Sequence, residues 1–247
     1  MAQRTRAVAA WLVLCLMLCL AASCAWADKT VSTNDGLSLT LTDAGAYSAM
    51  TVDGNTVPTL GVAGGFFIAP MNGIALPYTR DTFYAGTAIT GTATYEGSNV
   101  RLTGTAQNVS FNILLTGGLP YIKVDGTATG PGTDQAFLVY FRLPVNADGW
   151  KWQNDVNSST TIVNGTSNWY RSLGIINQAR HPYFSDNPFG TITKTTSPTM
   201  GISLSPLFYP PCTPTIQYNS QGGFWIELEM GTTSKTTKNP NKAEFHF

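Results

Sequence analysis

Ala136-Phe137-Leu138-Val139-Tyr140-Phe141-Arg142-Leu143 places Phe137, Val139, Phe141 and Leu143 at one set of alternate positions and Leu138, Tyr140 and Arg142 at the other. A two-residue period belongs to an extended strand, whose successive side chains leave opposite faces of a sheet. Both sets carry apolar residues, so the segment reads as an interior strand covered on both sides. Gly222 to Met230 repeats the design, with Phe224, Ile226, Leu228 and Met230 on one side and Trp225, Glu227 and Glu229 on the other. Two acids and a tryptophan thus share one sheet face, which Tyr140 and Arg142 would meet from the neighbouring strand.

Working outward, Leu37-Ser38-Leu39-Thr40-Leu41 alternates leucine with hydroxyl, the pattern of a half-buried strand. Asp53-Gly54-Asn55 supplies a turn. Thr87 to Tyr95 and Asn99 to Thr105 form a hairpin about Glu96-Gly97-Ser98, and Val109 to Leu115 pairs with Tyr121 to Thr129 about Gly117-Gly118. Pro144 to Pro214 is richer in Trp, Asn and Pro. It is expected to form long functional loops with short strands at Thr161 to Val163, Leu173 to Ile176, Gly190 to Thr193 and Met200 to Leu204. After Asp28 no stretch of a dozen residues has apolar positions at helical spacing. The expectation is an all-β fold, a large antiparallel β-sandwich forming one domain over residues 28–247. Lys242 to Phe247 alternates like a strand and then stops, as a docked terminal strand would, or as a chain would that runs on into a further domain.

Residues 1–27 read as a secretory leader: Arg4 and Arg6, an apolar run from Val8 to Ala22, and the small-x-small site Ala25-Trp26-Ala27. The run is too short for a membrane span, which needs about 20 apolar residues. A lipoprotein signal at Ala21-Ala22-Ser23-Cys24 is the competing reading. Cys15, Cys19 and Cys24 belong to this segment, leaving Cys212 alone in the exported chain and no intrachain disulfide. The expected location is extracellular, or periplasmic or cell-surface in a bacterium. The chain carries 14 basic and 14 acidic residues, and the leader holds two of the basic ones. The remainder is 12 against 14, a net of −2, which argues against nucleic acid and acidic lipid as partners. Only 11% of residues are charged, whereas Thr, Ser, Asn and Gly abound, so neutral polar partners such as carbohydrate fit best.

Three groups of residues offer chemistry. Trp150, Trp152 and Asp155 fall in Asp148 to Asp155, where indoles would stack on sugar rings and a carboxylate would bind hydroxyls; the alternative is that both indoles cap the core. Trp169, Arg180, His181 and Tyr183 gather an aromatic, cationic and imidazole set, in which His181 is a candidate acid or base or a structural hydrogen-bonding residue. Glu227 and Glu229, two apart on a strand and so about 6.6 Å from one another, match the carboxyl spacing of glycoside hydrolysis, and equally that of ion-paired surface glutamates. No metal and no cofactor is expected, since His181 and His246 lie far apart without a thiolate cluster. Calcium held by Asp148, Asp155 or Asp186 stays open as an alternative. Asn108, Asn157 and Asn164 begin N-glycosylation sequons.

Leu119 to Gly126, Phe141-Arg142-Leu143-Pro144-Val145, Gly149-Trp150-Lys151-Trp152, Arg180-His181-Pro182-Tyr183 and Phe224 to Gly231 together resemble the amino-terminal β-sandwich region of large secreted glycoside-hydrolase-like proteins. That sandwich is of the supersandwich kind found in galactose mutarotases and polysaccharide lyases, and in such proteins it precedes a separate catalytic barrel. The resemblance spans Gly117 to Phe247. It implies a carbohydrate-associated module without chemistry of its own, with Trp150, Trp152 and His181 at the ligand surface and the catalytic carboxylates elsewhere. No residue matches the mutarotase acid/base pair. A self-contained lyase or epimerase using His181, Tyr183, Glu227 or Glu229 is the second reading, and a structural or adhesive surface protein the third.

Overall fold

The computed structural model describes residues 27–71, 83, 85–155, 157–173, 189–207, 213–235 and 240–247. Among these residues all regular structure is strand, and every pairing is antiparallel. Residues 1–26 of the leader, Cys212 and the Arg180 to Asp186 cluster lie outside the described residues.

The chain builds four sheets, leaving and returning to one of them several times. β1 (Lys29–Ser32), β2 (Leu37–Leu41), β3 (Tyr47–Val52) and β4 (Asn55–Thr56) form a first sheet in chain order. β5 (Gly65–Pro70) and β6 (Thr87–Ala88) begin the second, and β7 (Thr90–Glu96), β8 (Asn99–Ala106), β9 (Val109–Thr116) and β10 (Lys123–Thr129) run as a meander in the third. β11 (Gln135–Leu143) returns to the second sheet, β12 (Lys151–Gln153) and β13 (Thr160–Thr161) open a fourth, and β14 (Tyr170–Leu173) goes back to the second. β15 (Gly190–Lys194) and β16 (Met200–Leu204) complete the fourth, β17 (Thr213–Asn219) and β18 (Gly223–Thr232) rejoin the second, and β19 (Lys242–His246) closes the third beside β10.

Turn chemistry sets the hairpins. Asp53 and Gly54 both have positive φ (51° and 74°) between β3 and β4, and Gln107 and Asn108 do so (51° and 63°) between β8 and β9. Two consecutive left-handed residues make a two-residue hairpin loop whose twist matches that of the strands. The expected pairings about Gly97 and about Gly117-Gly118 are present as β7 with β8 and β9 with β10. The segment expected to be loops is more ordered than that: β12, β13, β15 and β16 make a sheet of their own. The short strands expected at Gly190 to Thr193 and Met200 to Leu204 are present as β15 and β16, and that at Thr161 to Val163 overlaps β13, whereas β12 falls in a stretch expected to be loop.

The layering differs from a single pair of stacked sheets. The four sheets surround one apolar core in a ring like that of a four-bladed propeller. Val31, Leu39 and Met50 come to it from the first sheet, Ile113 and Phe245 from the third, Ile192 and Ile202 from the fourth. Alternation tells which side chains share a side of their strand, but it carries no information on which other sheet they meet.

β11 sits between β18 and β5, as an interior strand must. Its Phe137, Val139, Phe141 and Leu143 are all buried in the common core. Each large apolar side chain so placed contributes about 1.5–3 kcal/mol. At the sheet edge, β19 docks through Phe245, which lies directly across from Gly126 of β10 and is wholly buried. A Cβ on Gly126 would stand 2.1 Å from that ring, so only glycine admits the aromatic residue here.

A candidate site on the outer face of the six-stranded sheet

The alternate residues of β11, β17 and β18 build a second face unlike the first. Strand register sets the rows. Across the sheet, Arg171 of β14 faces Gln217, Gln217 faces Trp225, and Trp225 faces Arg142. One row along, Thr215 faces Glu227, Glu227 faces Tyr140, and Tyr140 faces Phe67. Neighbouring strands lie about 4.8 Å apart, so each row is a continuous line of side chains. The sequence expectation that Trp225, Glu227 and Glu229 share a face met by Tyr140 and Arg142 is what the register gives.

This face is buried yet charged. Glu227 and Gln217 are wholly inaccessible, and Arg142 and Arg171 nearly so. A charged group taken from water costs several kcal/mol unless hydrogen bonds and opposite charge replace its hydration. Arg171 Nε donates to Gln217 Oε1 (3.2 Å), and Gln217 Nε2 donates to Glu227 Oε2 in a long contact of 3.5 Å. The amide thus joins a guanidinium to a carboxylate, with its acceptor toward the cation and its donor toward the anion. Asn154 Nδ2 donates to the Arg171 carbonyl and ties the β12 end to the same row.

Aromatic rings enclose the cations. The Arg142 guanidinium carbon lies 4.4 Å from the Phe67 ring centre, 4.5 Å from that of Phe83 and 5.0 Å from that of Tyr140. That of Arg171 lies 4.6 Å from the Trp169 ring. Contacts of this kind supply about 2 kcal/mol when desolvated. Trp225 forms a floor, meeting Phe83 edge-on at 5.8 Å and Trp169 at 6.1 Å. Phe83 and Trp169 remain half-buried on either side of it. A Cβ on Gly222, before β18, would come within 2.4 Å of the Phe83 ring, so the glycine leaves room for that ring. The buried Trp225 Nε1 and Trp169 Nε1 have no acceptor among the described residues. Of these groups Phe83 and Trp169 reach solvent, whereas Trp225, Gln217 and the two arginines lie buried beneath them.

The remaining expected site residues are dispersed. Trp150 and Trp152 are 5% and 4% exposed, so neither indole presents a face to solvent. Trp152 packs edge-on against Phe224 at 6.1 Å and lies 6.3 Å from Tyr170, the core-capping alternative. Asp155 is exposed, its Oδ1 accepting from the Asn157 amide, and Asp148 Oδ1 accepts from the Asn164 amide. Both carboxylates thus close loops, and among the described residues no group of three His, Cys, Asp or Glu side chains is placed to hold a metal. Glu229 is half-buried, two residues beyond Glu227 on the same face. Trp169 is the expected residue that does join the patch, together with Glu227.

Gln217, Arg171, Phe67, Phe83 and Thr215 are the members absent from the residues that the sequence singles out. The alternation Ile216-Gln217-Tyr218 ahead of Gly222-Gly223 is the signal for β17, since it mirrors β18 across a hairpin. Tyr218, on the core side, anchors the loops: its hydroxyl donates to Asn164 Oδ1 (2.7 Å) and accepts from the Ala147 amide (3.1 Å). Burial raises its pKa against the opposing effect of the Ala147 amide, keeping the phenol neutral. Asn164, one of the three sequon residues, is thereby committed to an internal contact. No protein-family model matches this chain, and no curated protein sequence matches it either.

Proposed function

We propose that the chain is a secreted, carbohydrate-associated module of a larger glycoside-hydrolase-like protein, binding saccharide without transforming it. The observation that supports this is the pair of half-buried rings, Phe83 and Trp169, each set edge-on to the buried Trp225, with Gln217 and Arg171 buried in the row beneath. Aromatic rings stack on the apolar faces of pyranoses, so two rings partly open to solvent suit a neutral sugar, while the buried amide and guanidinium beneath support them. The same reading takes the six-stranded sheet as one layer of a supersandwich, with the smaller sheets as its opposing layer. Trp150 and Trp152, being interior, have no part in the binding surface proposed.

Retardation in gels containing soluble polysaccharides tests the reading. Trp169→Ala and Phe83→Ala should each lower retardation at least tenfold in apparent affinity while the β-sheet circular dichroism stays that of the parent, the lost cation–ring contact costing about 2 kcal/mol of stability. No retardation by any polysaccharide, or retardation unchanged in both variants, overturns it. Amino-terminal sequencing of protein recovered outside the cytoplasm should begin near Asp28.

A wholly buried carboxylate in the same face favours a second reading, a lyase or epimerase in which Glu227 takes part. Fold class alone does not decide between them. Turnover of an oligosaccharide that Glu227→Gln abolishes would establish the second reading and displace the first.

A further inference from the structure

A cavity of about 520 Å³ opens where the four sheets meet. It lies on the core side of the six-stranded sheet, on the face opposite the Trp225 patch, and it is independent of the proposal above. Leu39, Met50, Val124, Phe141, Ile202 and Leu204 line it, one or two from each sheet, and all are core residues. Its mouth carries Tyr121 and Leu207, which are 56% and 43% exposed. These are two of the five large hydrophobic side chains exposed among the described residues. An apolar opening at the mouth of an apolar cavity is the arrangement of a ligand site rather than of a packing defect, and the volume falls within the roughly 300–1,000 Å³ typical of small-molecule pockets.

The charges at the rim specify the ligand. Lys123, the cation on the lining, is ion-paired to Asp125 at 3.0 Å, and Asp125 also contacts His246 Nδ1 at 2.6 Å. Asp35, also on the lining, accepts a hydrogen bond from the Thr33 hydroxyl. The cation is already neutralised by a carboxylate and a second carboxylate stands nearby, so an anionic head group gains no partner. We infer that this cavity binds a neutral hydrophobic small molecule, the alkyl or aryl part of an uncharged amphiphile, with its polar end at Tyr121 and Ser205.

The probe is N-phenyl-1-naphthylamine, which is uncharged and fluoresces when taken out of water. Its emission should rise and saturate at one equivalent per chain. 1-Decanol should displace it at least tenfold more effectively than decanoate. Leu204→Phe, which fills the cavity from within, and Leu207→Ser, which changes only the mouth, should each weaken binding tenfold or more. Leu207→Ser keeps the test valid should Leu204→Phe fail to fold. Emission that never saturates, decanoate displacing as well as decanol, or binding unchanged in Leu207→Ser overturns the inference. So does a concentration-dependent dimer that excludes the probe, which would make the mouth a contact between copies of the chain.

Discussion

Phe141 and Arg142 are consecutive in β11, are both almost fully buried, and face opposite sides of one sheet. On the Phe141 side the rows are mostly hydrocarbon: Phe66, Phe141, Ile226 and Ile216 follow one another across the strands, and Ser172 and the tip of Tyr218 are the polar exceptions. On the Arg142 side the rows are Arg171, Gln217, Trp225 and Arg142, then Thr215, Glu227, Tyr140 and Phe67. The difference is between a face stabilised by non-directional burial and one whose members need specific partners. The first tolerates exchange of similar shapes, whereas the second loses a partner with each substitution. A face that carries buried charge without contributing a simple core is where a binding role is to be sought.

Substitutions that treat the two faces alike would break this contrast. Phe141→Ala should have the largest effect, about 3–5 kcal/mol in urea unfolding, through lost burial and a residual void; a loss under 1 kcal/mol would mean that the core face is loosely packed. Gln217→Ala should cost about 1–3 kcal/mol, because Arg171 Nε and Glu227 Oε2 each lose the partner seen here. An unchanged urea midpoint in that variant would show the amide bridge to be idle. Tyr218→Phe tests the core face's own polar tip and should cost about 1 kcal/mol. Its raised pKa adds a sign: the neutral phenol's contribution is full below the unfolded value near 10 and declines as pH rises through the folded one. The phenylalanine variant should therefore lose stability less steeply above pH 10.

The smallest effect belongs to the exposed side of the five-stranded sheet. Burial would raise the Asp125 pKa, but hydrogen bonds from His246 and Lys123 outweigh it and hold the carboxyl below its ordinary value of 3.8. A lowered folded pKa gives stability that is present above the unfolded value and is lost as pH falls below it. Asp125→Asn should flatten the acid limb of stability below about pH 4 and leave pH 7 stability within about 1 kcal/mol. An acid limb identical to that of the parent would remove Asp125 from any role in docking β19.

Legibility followed the range of the signal. The alternation of β2, β11 and β18, the glycine turns and the apolar partners of the core were readable because each depends on a few consecutive residues. Trp150 and Trp152 were ambiguous for the same reason. An alternating pair of indoles states that both share a side of the strand, and only the contact of Trp152 with Phe224 tells that the side is inward. The Trp225 patch was half legible: Trp225 and Glu227 share a side of β18 by period alone, as Tyr140 and Arg142 do of β11, whereas Gln217 and Arg171 join them through the pairing of β17 and β14.

By itself the sequence determined that this chain is β throughout its described length, which side chains of a strand share a side, and where the hairpins about Gly54, Gly97 and Gly117-Gly118 close. Those are consequences of a two-residue period and of left-handed turn residues, both local to the backbone. Tertiary structure alone decided that four sheets share one core, that a cavity is left at their meeting point, and that Arg171, Gln217 and Glu227 stand in adjoining rows. Such relations depend on register between strands far apart in the chain, and no local pattern of polarity encodes it.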